Sequence, residues 1–415
     1  MKTINHSLLG GEIKAIPSKS YAHRALICAA LAEKPSRVYF SESSEDIDRT
    51  IDCLVQLGAK ITRDEDGALV SPILVPRENA VLDVGESGST LRFLLPVAAA
   101  LPGDYSFTGS GRLPERPITE LIQLLREGGA IFEKNQIPLT VSGKFKGGSF
   151  SLPGDVSSQY ISGLLMASPL FEEDLVLTLK SPLESKGYVD MTLEVIQTFG
   201  GEAKETEAGY IAQNEPFWGC EYLVEGDWSN AAFFLVAGAL GPGVRMTGLK
   251  KFSRQGDSKI LPVLRDFGAK VHWEGEVLII EGDLRRPVQV DLSEMPDSLP
   301  ALSLLAASVQ EGVSRFYNGK RLRLKESDRL HSVATMIKNL GGQAIELGEE
   351  LKVIGTGGLT GGRTDSFGDH RIAMATAIAA SISTRTIELE NPEAVNKSYP
   401  KFFEDYQKLG GQIHD

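Results

Sequence analysis

The sequence predicts a mixed α/β protein built from six copies of one compact unit. Six segments each read as a helix end, a glycine and the start of a strand: QLGAKI, EGGAIF, TFGGEA, DFGAKV, NLGGQA and KLGGQI. Glycine takes the left-handed conformation that ends a helix at little steric cost. The aligned glycines, 68 to 73 residues apart, are Gly58, Gly129, Gly200, Gly268, Gly341 and Gly410. This spacing indicates a repeated unit that is too long for a solenoid repeat.

Strand-like and helix-like segments alternate within each unit. VYFSE, KVHWEGEVLIIEG and TIELE are rich in β-branched and aromatic residues, which is typical of strands. LIQLLREGG, MTLEVIQTFGG and ILPVLRDFGA have the apolar spacing of amphipathic helices. Six units divide naturally into two domains of three, which suits a chain of 415 residues.

Composition narrows the class of protein and its compartment. A net charge of −12 argues against a general binder of nucleic acid or anionic membranes, although a local basic pocket remains possible. Apolar runs such as 231–240 are too short to span a bilayer, and the first residues do not form a secretory signal. Cys28, Cys53 and Cys220 lack metal-ligand spacing, and their odd number fits a reducing compartment. We therefore expect a soluble cytoplasmic protein.

Basic and hydroxyl residues recur just before runs of small apolar residues. The segments are PSKSYAHRALICAALA, GESGSTLRFLLPVAAA, GDVSSQYISGLLMAS, KESDRLHSVATMI and GDHRIAMATAIAA. A helix N-terminus offers unpaired N–H groups and the positive end of the helix dipole, so it suits an anion. Ser157 and Asp369 could instead be simple N-caps, and that alternative stays open. Lysine and arginine at these positions oppose the dipole, so their recurrence predicts bound anions such as phosphate or carboxylate.

Eight motifs occur in the order found in 5-enolpyruvylshikimate-3-phosphate synthases: SKSYAHRAL, SGSTLR, ERPI, VSSQY, MPD, KESDR, GDHRIAM and NKSYP. The chain resembles this family from Lys19 to Lys397. The resemblance implies a two-domain inside-out α/β barrel, in which each domain has three βαβαββ units. One domain would span 18–225 and the other would combine 1–17 with 226–415, with the active site in the cleft between them.

The resemblance also implies a reaction. The enolpyruvyl group of phosphoenolpyruvate is transferred to the 5-hydroxyl of shikimate 3-phosphate, and phosphate is released by addition and elimination through a tetrahedral intermediate. We expect these two small molecules to be the only partners of a monomer that uses no metal and no organic cofactor. No nucleic acid or membrane is expected to take part.

Site residues follow from the matching motif positions. Asp297 would accept the hydroxyl proton, Glu326 would exchange a proton with C3, and Lys19 would assist phosphate departure, since carboxylates in different environments can act as base and acid. Phosphoenolpyruvate would be held by Lys19, Gly88, Arg92, Arg116, Gln159, Arg329, Arg371 and Lys397. Shikimate 3-phosphate would be held by Lys19, Ser20, Arg24, Ser157, Ser158, Gln159, Ser185, Tyr188, Asp297 and Lys325.

Simpler roles compete with several of these assignments. Asp297 could cap the helix-like run that follows it, and Glu326 could form a surface ion pair. Asp46 is expected to be solvated or a cap, while Arg321 and His370 receive no firm role.

Two other functions remain as alternatives. A UDP-N-acetylglucosamine enolpyruvyl transferase commonly carries a cysteine in a loop whose counterpart here, 109–116, has none. A non-catalytic anion-binding relative should have lost polar site residues, yet Lys19, Asp297, Glu326 and Lys397 are all present.

Overall fold

The computed structural model describes residues 1–283 and 285–415, and these residues form two compact units. Unit I is Pro17–Val224. Unit II joins Met1–Ile16 to Glu225–Asp415. Both unit boundaries fall one residue before the bounds implied by the resemblance.

Regular elements cover most of both units. The strands are β1 (Lys2–Asn5), β2 (Gly10–Lys14), β3 (Ser36–Tyr39), β4 (Lys60–Asp64), β5 (Gly67–Ser71), β6 (Ala80–Asp83), β7 (Tyr105–Thr108), β8 (Ala130–Phe132), β9 (Leu139–Gly143), β10 (Gly148–Leu152), β11 (Leu175–Leu179), β12 (Ala203–Thr206), β13 (Gly209–Ala212), β14 (Glu221–Leu223), β15 (Gly243–Thr247), β16 (Lys270–Glu274), β17 (Val277–Glu281), β18 (Gln289–Asp291), β19 (Val313–Tyr317), β20 (Gln343–Leu347), β21 (Glu350–Ile354), β22 (Gly362–Asp365), β23 (Ile387–Glu390) and β24 (Gln412–His414). The α-helices are α1 (Lys19–Ala30), α2 (Glu45–Leu57), α3 (Gly88–Ala100), α4 (Thr119–Glu127), α5 (Ser158–Met166), α6 (Lys186–Thr198), α7 (Trp228–Leu240), α8 (Ile260–Phe267), α9 (Leu299–Ser308), α10 (Arg329–Asn339), α11 (His370–Ala379) and α12 (Phe402–Lys408). The segments predicted as strands and amphipathic helices all fall on elements of that type.

Six four-stranded sheets share one topology in the described residues, three in each unit. In the sheet ordered β6-β7-β9-β8, β6 and β7 are parallel, whereas β7–β9 and β9–β8 are antiparallel. Helix α3 connects β6 to β7 and α4 connects β7 to β8, so this repeat reads βαβαββ. The other five sheets repeat the same pairing of one parallel and two antiparallel neighbours, which confirms the predicted sixfold α/β architecture.

Three strands are supplied from distant parts of the chain. In unit I, β14 pairs in parallel with β3. In unit II, β2 pairs in parallel with β15, and β1 lies between β23 and β24. Because β1 and β2 belong to unit II, the chain passes into unit I after Ile16 and returns to unit II after Val224.

The first helix of each repeat is buried and the second is amphipathic. Every residue of α7 is buried, as expected for a helix that is apolar on all sides. The second helix α2, by contrast, alternates buried and exposed residues. A Cβ atom on Gly163 of α5 would overlap the carbonyl of Arg92 on α3, so glycine permits the close approach of these two buried helices. Buried helices surrounded by sheets give each unit its inside-out arrangement.

The six aligned glycines all end the second helix of a repeat. They follow α2, α4, α6, α8, α10 and α12, and their φ angles range from +76° to +119°. This left-handed conformation is the one that the repeat motif predicts. No helix in residues 1–283 and 285–415 is long and apolar enough to cross a membrane.

Candidate active site

Lys19 is the first residue of α1 and pairs with an acid on α2. The helix is capped by Ser18, whose hydroxyl accepts from the N–H of Tyr21, and the Lys19 Nζ lies 2.6 Å from Asp46 Oδ2. The expectation that Asp46 is solvated or a cap is wrong, because its side chain is only 7% exposed and ion-paired. Its position four residues before buried Thr50 places it on the apolar face of α2, which is the signal that could have revealed it.

Arg24 is buried against neutral oxygen atoms. Its guanidinium donates to the carbonyls of Ser20 (2.7 Å) and Tyr188 (2.8 Å) and to the hydroxyl of Thr192 (2.7 Å). In the described residues no carboxylate pairs with Arg24, and burial lowers its pKa to about 10. Ser185, buried at the N-terminus of α6 with φ +54°, begins the helix that carries Tyr188. The structure thus places the carbonyls of Ser20 and Tyr188 around the buried positive charge of Arg24, and Ser185 precedes the helix that carries Tyr188.

Two arginines converge on the turn at the start of α3. Arg92 donates to the side-chain oxygen of Gln159 (3.0 Å) and to the carbonyl of Pro117 (2.9 Å). A Cβ atom on Gly88 would lie 2.6 Å from Arg92 Nη1 and 2.8 Å from Arg116 Nη1. The absent side chain at Gly88 therefore lets both guanidinium groups approach the helix N-terminus.

The start of α5 holds the remaining predicted residues of unit I. The Ser157 hydroxyl accepts from the N–H of Gln159 at 3.3 Å, so the capping role considered for Ser157 is confirmed. Gln159 in turn donates to Ser89 Oγ at 2.8 Å, and Ser158 is buried. We call the polar residues at the starts of α1, α3, α5 and α6, together with Arg116, cluster I.

Asp297 lies at the centre of a group of cations in unit II. Its turn, Pro296–Ser298, precedes α9, and its carboxylate contacts Arg329 (2.6 Å), Arg371 (3.2 Å) and Lys325 (3.3 Å). The N-cap position of α9 is occupied by Ser298 and not by Asp297, so the capping alternative for Asp297 is wrong. Burial acts to raise the pKa of Asp297, but the charges of Arg371, Lys325 and Arg329 hold it well below its usual value.

Glu326 pairs with an arginine that is almost wholly buried. Arg329 is 1% exposed and binds Glu326 at 2.8 Å and Asp369 at 2.9 Å. The Glu326 side chain is itself only 11% exposed, so a surface ion pair is the wrong description. Asp369 also accepts from the N–H of Arg371, which confirms its capping role at α11. One buried carboxylate therefore fixes Arg329 and the start of α11 together.

Arg371 and Lys397 lie beside the N-terminus of α7. Arg371 Nη1 donates to the carbonyl of Ser229 at 3.1 Å. Lys397 is buried at the end of a 3₁₀ helix, and the adjacent Ser398 donates to the side chain of Asn230 at 3.1 Å. Cluster II comprises the unit II residues Asp297, Lys325, Glu326, Arg329, Arg371 and Lys397.

The residues without a firm role lie beside cluster II. Buried His370 follows Asp369, and Arg321 donates to the carbonyl of Ser293 at 3.0 Å. Among the described residues no group of His, Cys, Asp and Glu is arranged to hold a metal ion. The predicted site residues therefore form two clusters, one in each unit, and each is built from helix starts and the turns before them.

Comparison with known proteins identifies the family. A family model described as EPSP synthase (3-phosphoshikimate 1-carboxyvinyltransferase) matches residues 5–406. A Clostridium kluyveri protein named 3-phosphoshikimate 1-carboxyvinyltransferase is 38% identical to this chain, over 100% of this chain and 98% of that protein. A Clostridium perfringens protein of the same name is 39% identical to this chain, over 98% of each.

Solved structures agree with the sequence comparisons. An EPSP synthase structure from Acinetobacter baumannii is similar with a TM-score of 0.84 and 25% identity, covering 100% of this chain and 99% of that one. The enolpyruvyl transferase NikO from Streptomyces tendae shares the fold, with a TM-score of 0.80 and 16% identity over 100% and 98% of the two chains. The predicted fold, enzyme class and enolpyruvyl transfer of aromatic amino-acid biosynthesis are thereby confirmed, and the chain belongs to the EPSP synthase family.

Proposed function

We propose that this protein joins phosphoenolpyruvate to the 5-hydroxyl of shikimate 3-phosphate and releases phosphate, and that its site residues belong to clusters I and II. The observation that carries this proposal is the carboxylate of Asp297, which is 14% exposed and contacts three cationic side chains in a chain of this family. Such a group combines a proton acceptor with positive charge for phosphorylated substrates.

The charge balance of cluster I supports the binding of shikimate 3-phosphate there. A buried guanidinium surrounded by neutral oxygens is costly, and an anion would compensate it. Arg24 is such a group. The residues that would hold this substrate are Lys19, Ser20, Arg24, Ser157, Ser158, Gln159, Ser185, Tyr188, Asp297 and Lys325.

Phosphoenolpyruvate needs cations that can neutralise both its phosphate and its carboxylate. Arginine suits both groups because its planar fork donates two parallel hydrogen bonds. We propose that the following residues hold it. They are Lys19, Gly88, Arg92, Arg116, Gln159, Arg329, Arg371 and Lys397.

Three residues carry the chemistry in this proposal. The 5-hydroxyl oxygen attacks C2 of phosphoenolpyruvate while its proton passes to Asp297, and C3 receives a proton from Glu326. The resulting tetrahedral intermediate still carries the phosphate. Glu326 then takes a proton back from C3, the bond from C2 to the phosphate oxygen breaks, and Lys19 neutralises the departing phosphate.

The low pKa of Asp297 would make it a weak base in the free protein. When a substrate phosphate binds Arg329 and Arg371, it adds negative charge beside the same carboxylate. A neighbouring negative charge raises the pKa of a carboxyl group. Substrate binding should therefore make Asp297 a better proton acceptor at the moment when it is needed.

Phosphate release tests the proposed substrates. The protein is incubated with phosphoenolpyruvate and either shikimate 3-phosphate or UDP-N-acetylglucosamine, and inorganic phosphate is measured over time. We expect release only with shikimate 3-phosphate. Release only with UDP-N-acetylglucosamine would establish the rival transferase, and binding of shikimate 3-phosphate without any release would establish a non-catalytic relative.

Gly88→Ala is expected to weaken phosphoenolpyruvate binding. The added methyl group would meet Arg92 Nη1 at 2.6 Å and Arg116 Nη1 at 2.8 Å, so both guanidinium groups must move. Removing one well-placed charge-assisted contact costs about 1.5–3 kcal/mol, so we expect KM for phosphoenolpyruvate to rise roughly tenfold or more. Steady-state kinetics with each substrate varied in turn measures this change.

The second substrate supplies the control for this variant. KM for shikimate 3-phosphate should change little, because Arg24 and its partners lie outside the contacts of the added methyl group. An unchanged KM for phosphoenolpyruvate would contradict the placement of Gly88 against that substrate.

We also propose that the protein acts as a monomer in the cytoplasm. One chain supplies every proposed site residue, so the reaction does not call for a second copy. Cys28, Cys53 and Cys220 are free thiols, which suits a reducing compartment.

A further inference from the structure

The buried carboxylate of Asp257 is connected to cluster II and has no role in the proposed reaction. It belongs to the 3₁₀ helix Gly256–Lys259 before α8 and is 1% exposed. Both of its oxygens accept hydrogen bonds from hydroxyl groups: Oδ2 from Ser229 at 2.5 Å and Oδ1 from Ser298 at 2.8 Å. Acceptance at both oxygens favours the ionised form of the carboxyl group.

These two serines connect Asp257 to the two sides of cluster II. Ser298 directly follows Asp297 in the turn Pro296–Ser298. The backbone carbonyl of Ser229 accepts from Arg371 Nη1 at 3.1 Å, and Arg371 Nη2 contacts Asp297 at 3.2 Å. The contacts therefore form a closed ring from Asp257 through Ser229, Arg371, Asp297 and Ser298 back to Asp257.

We propose that Asp257 is a positioning residue that fixes Asp297 and Arg371 in their relative orientation for the enolpyruvyl transfer. This inference rests on the proposed function of cluster II. The hydroxyl of Ser298 holds the turn that carries Asp297, while Ser229 holds the guanidinium that faces it. Displacement of reacting groups by as little as an ångström can cost about a hundredfold in rate, so a fixed ring has a direct catalytic consequence.

Charge gives Asp257 a second influence on Asp297. The pKa of Asp257 is raised by burial and then by the charge of Asp297, while Arg371 acts in the opposite direction. The charged groups that act on Asp297 are Arg371, Lys325, Arg329 and Glu326. Because the pKa of Asp257 is raised while that of Asp297 is lowered, Asp257 takes up a proton first as the pH falls, and this removes an acceptor from the ring while Asp297 is still ionised.

The test compares Asp257→Asn with a buried aspartate of the same unit that does not contact cluster II. Asp405 serves as this control, because it is 6% exposed and accepts from the Tyr399 hydroxyl at 2.7 Å. For Asp257→Asn we expect kcat to fall about tenfold to a hundredfold, with KM for shikimate 3-phosphate within about twofold of wild type. We expect Asp405→Asn to lower the urea midpoint but to leave kcat unchanged.

The pH profile separates a positioning role from a merely structural one. In wild type, protonation of Asp257 should loosen the ring while Asp297 is still ionised, and Asp257→Asn removes this titration. In a plot of kcat against pH, the acidic limb of Asp257→Asn should therefore lie at lower pH than that of wild type. The acidic limb of Asp405→Asn should coincide with that of wild type. Wild-type kcat and an unmoved acidic limb in Asp257→Asn would overturn the proposal.

Two further measurements keep the proposal testable if Asp257→Asn does not fold or if the protein does not catalyse the proposed reaction. Ser298→Ala removes only the hydroxyl that joins the Asp297 turn to Asp257, and it should lower kcat severalfold. Wild-type kcat in a folded Ser298→Ala protein would overturn the proposed role of the ring. Independently of activity, the urea-midpoint shifts of Asp257→Asn and Asp297→Asn should not add, because the two sites share partners. Additive shifts would overturn the proposal, whereas a wild-type protein that releases no phosphate would overturn only the proposed function.

Discussion

Asp297→Asn is expected to lower kcat by roughly 10²–10⁴, the usual contribution of a positioned proton acceptor. An amide has nearly the same shape as the carboxylate but does not accept the hydroxyl proton at neutral pH. The residue is held by Arg329, Arg371 and Lys325, so its position is well defined and the loss should be one of chemistry rather than of packing. The rate of phosphate release at saturating substrates measures the effect.

Stability must be measured beside the rate of this variant. Breaking a buried ion pair costs about 3–5 kcal/mol, because the remaining partner is left uncompensated. Asp283→Asn is a suitable control, since this exposed aspartate of unit II pairs with Lys270 at the surface and should change neither rate nor stability appreciably. If folded Asp297→Asn turns over within about twofold of wild type, Asp297 is not the base.

The stability of this ion-paired group also depends on pH in a defined direction. The pKa of Asp297 is lower in the folded protein than the ordinary carboxyl value of about 4 in the unfolded chain. Its contribution is therefore fully present above about pH 4 and is lost as the pH falls through the folded-state pKa. Asp297→Asn should remove this part of the acid dependence, which urea unfolding across acidic pH would measure.

Backbone requirements explain which parts of the fold the sequence predicts well. Each of the six glycines has a positive φ angle directly after the second helix of a repeat, where other residues would be strained. The repeated helix end is therefore visible in sequence. The pairing of β1, β2 and β14 with distant strands is not visible in the residue pattern, because strands of three to five residues carry too little pattern to reveal a distant partner. Only the resemblance implied that 1–17 joins the second domain.

In the candidate site, local features could be predicted from the sequence, whereas contacts between distant residues could not. Helix starts with their hydroxyl and basic residues are local features, so Lys19, Gly88 and Ser157 could be placed from sequence. The partners of those side chains come from elsewhere in the chain. Arg24 binds Thr192, which is 168 residues away, and Asp257 binds Ser298, which is 41 residues away. No spacing rule in the sequence predicts such pairs.

Burial decided the alternatives that the sequence left open. Asp297 and Glu326 could each have had an ordinary role as a cap or a surface ion pair. Their partner Arg329 is buried, and a buried cation must be compensated, so both acids are drawn into the same group. For Asp46 the prediction is wrong, although its spacing from Thr50 places it on the apolar face of α2 and so indicates burial.

Lys19→Met is expected to lower kcat by roughly 10²–10³, as is usual when one preorganised electrostatic group is removed. Methionine keeps the unbranched apolar stem but loses the positive charge that would neutralise the departing phosphate. The substitution also leaves Asp46 without the lysine that lies 2.6 Å away, and Asp46 is 5% exposed. A loss of activity in this variant alone could therefore come either from chemistry or from an uncompensated buried carboxylate.

The double variant Lys19→Met/Asp46→Asn separates these two causes. If Lys19 only compensates Asp46, removing both charges should restore stability and activity together, because replacing a buried ion pair by neutral groups is often harmless. If Lys19 acts on the substrate, stability should return while kcat stays about 10²–10³ below wild type. We expect the second result, since a lysine at the start of α1 lies where the helix dipole also favours a phosphate. Urea unfolding and phosphate release on the single and double variants provide both measurements, and recovery of kcat in the double variant would assign Lys19 a purely structural role.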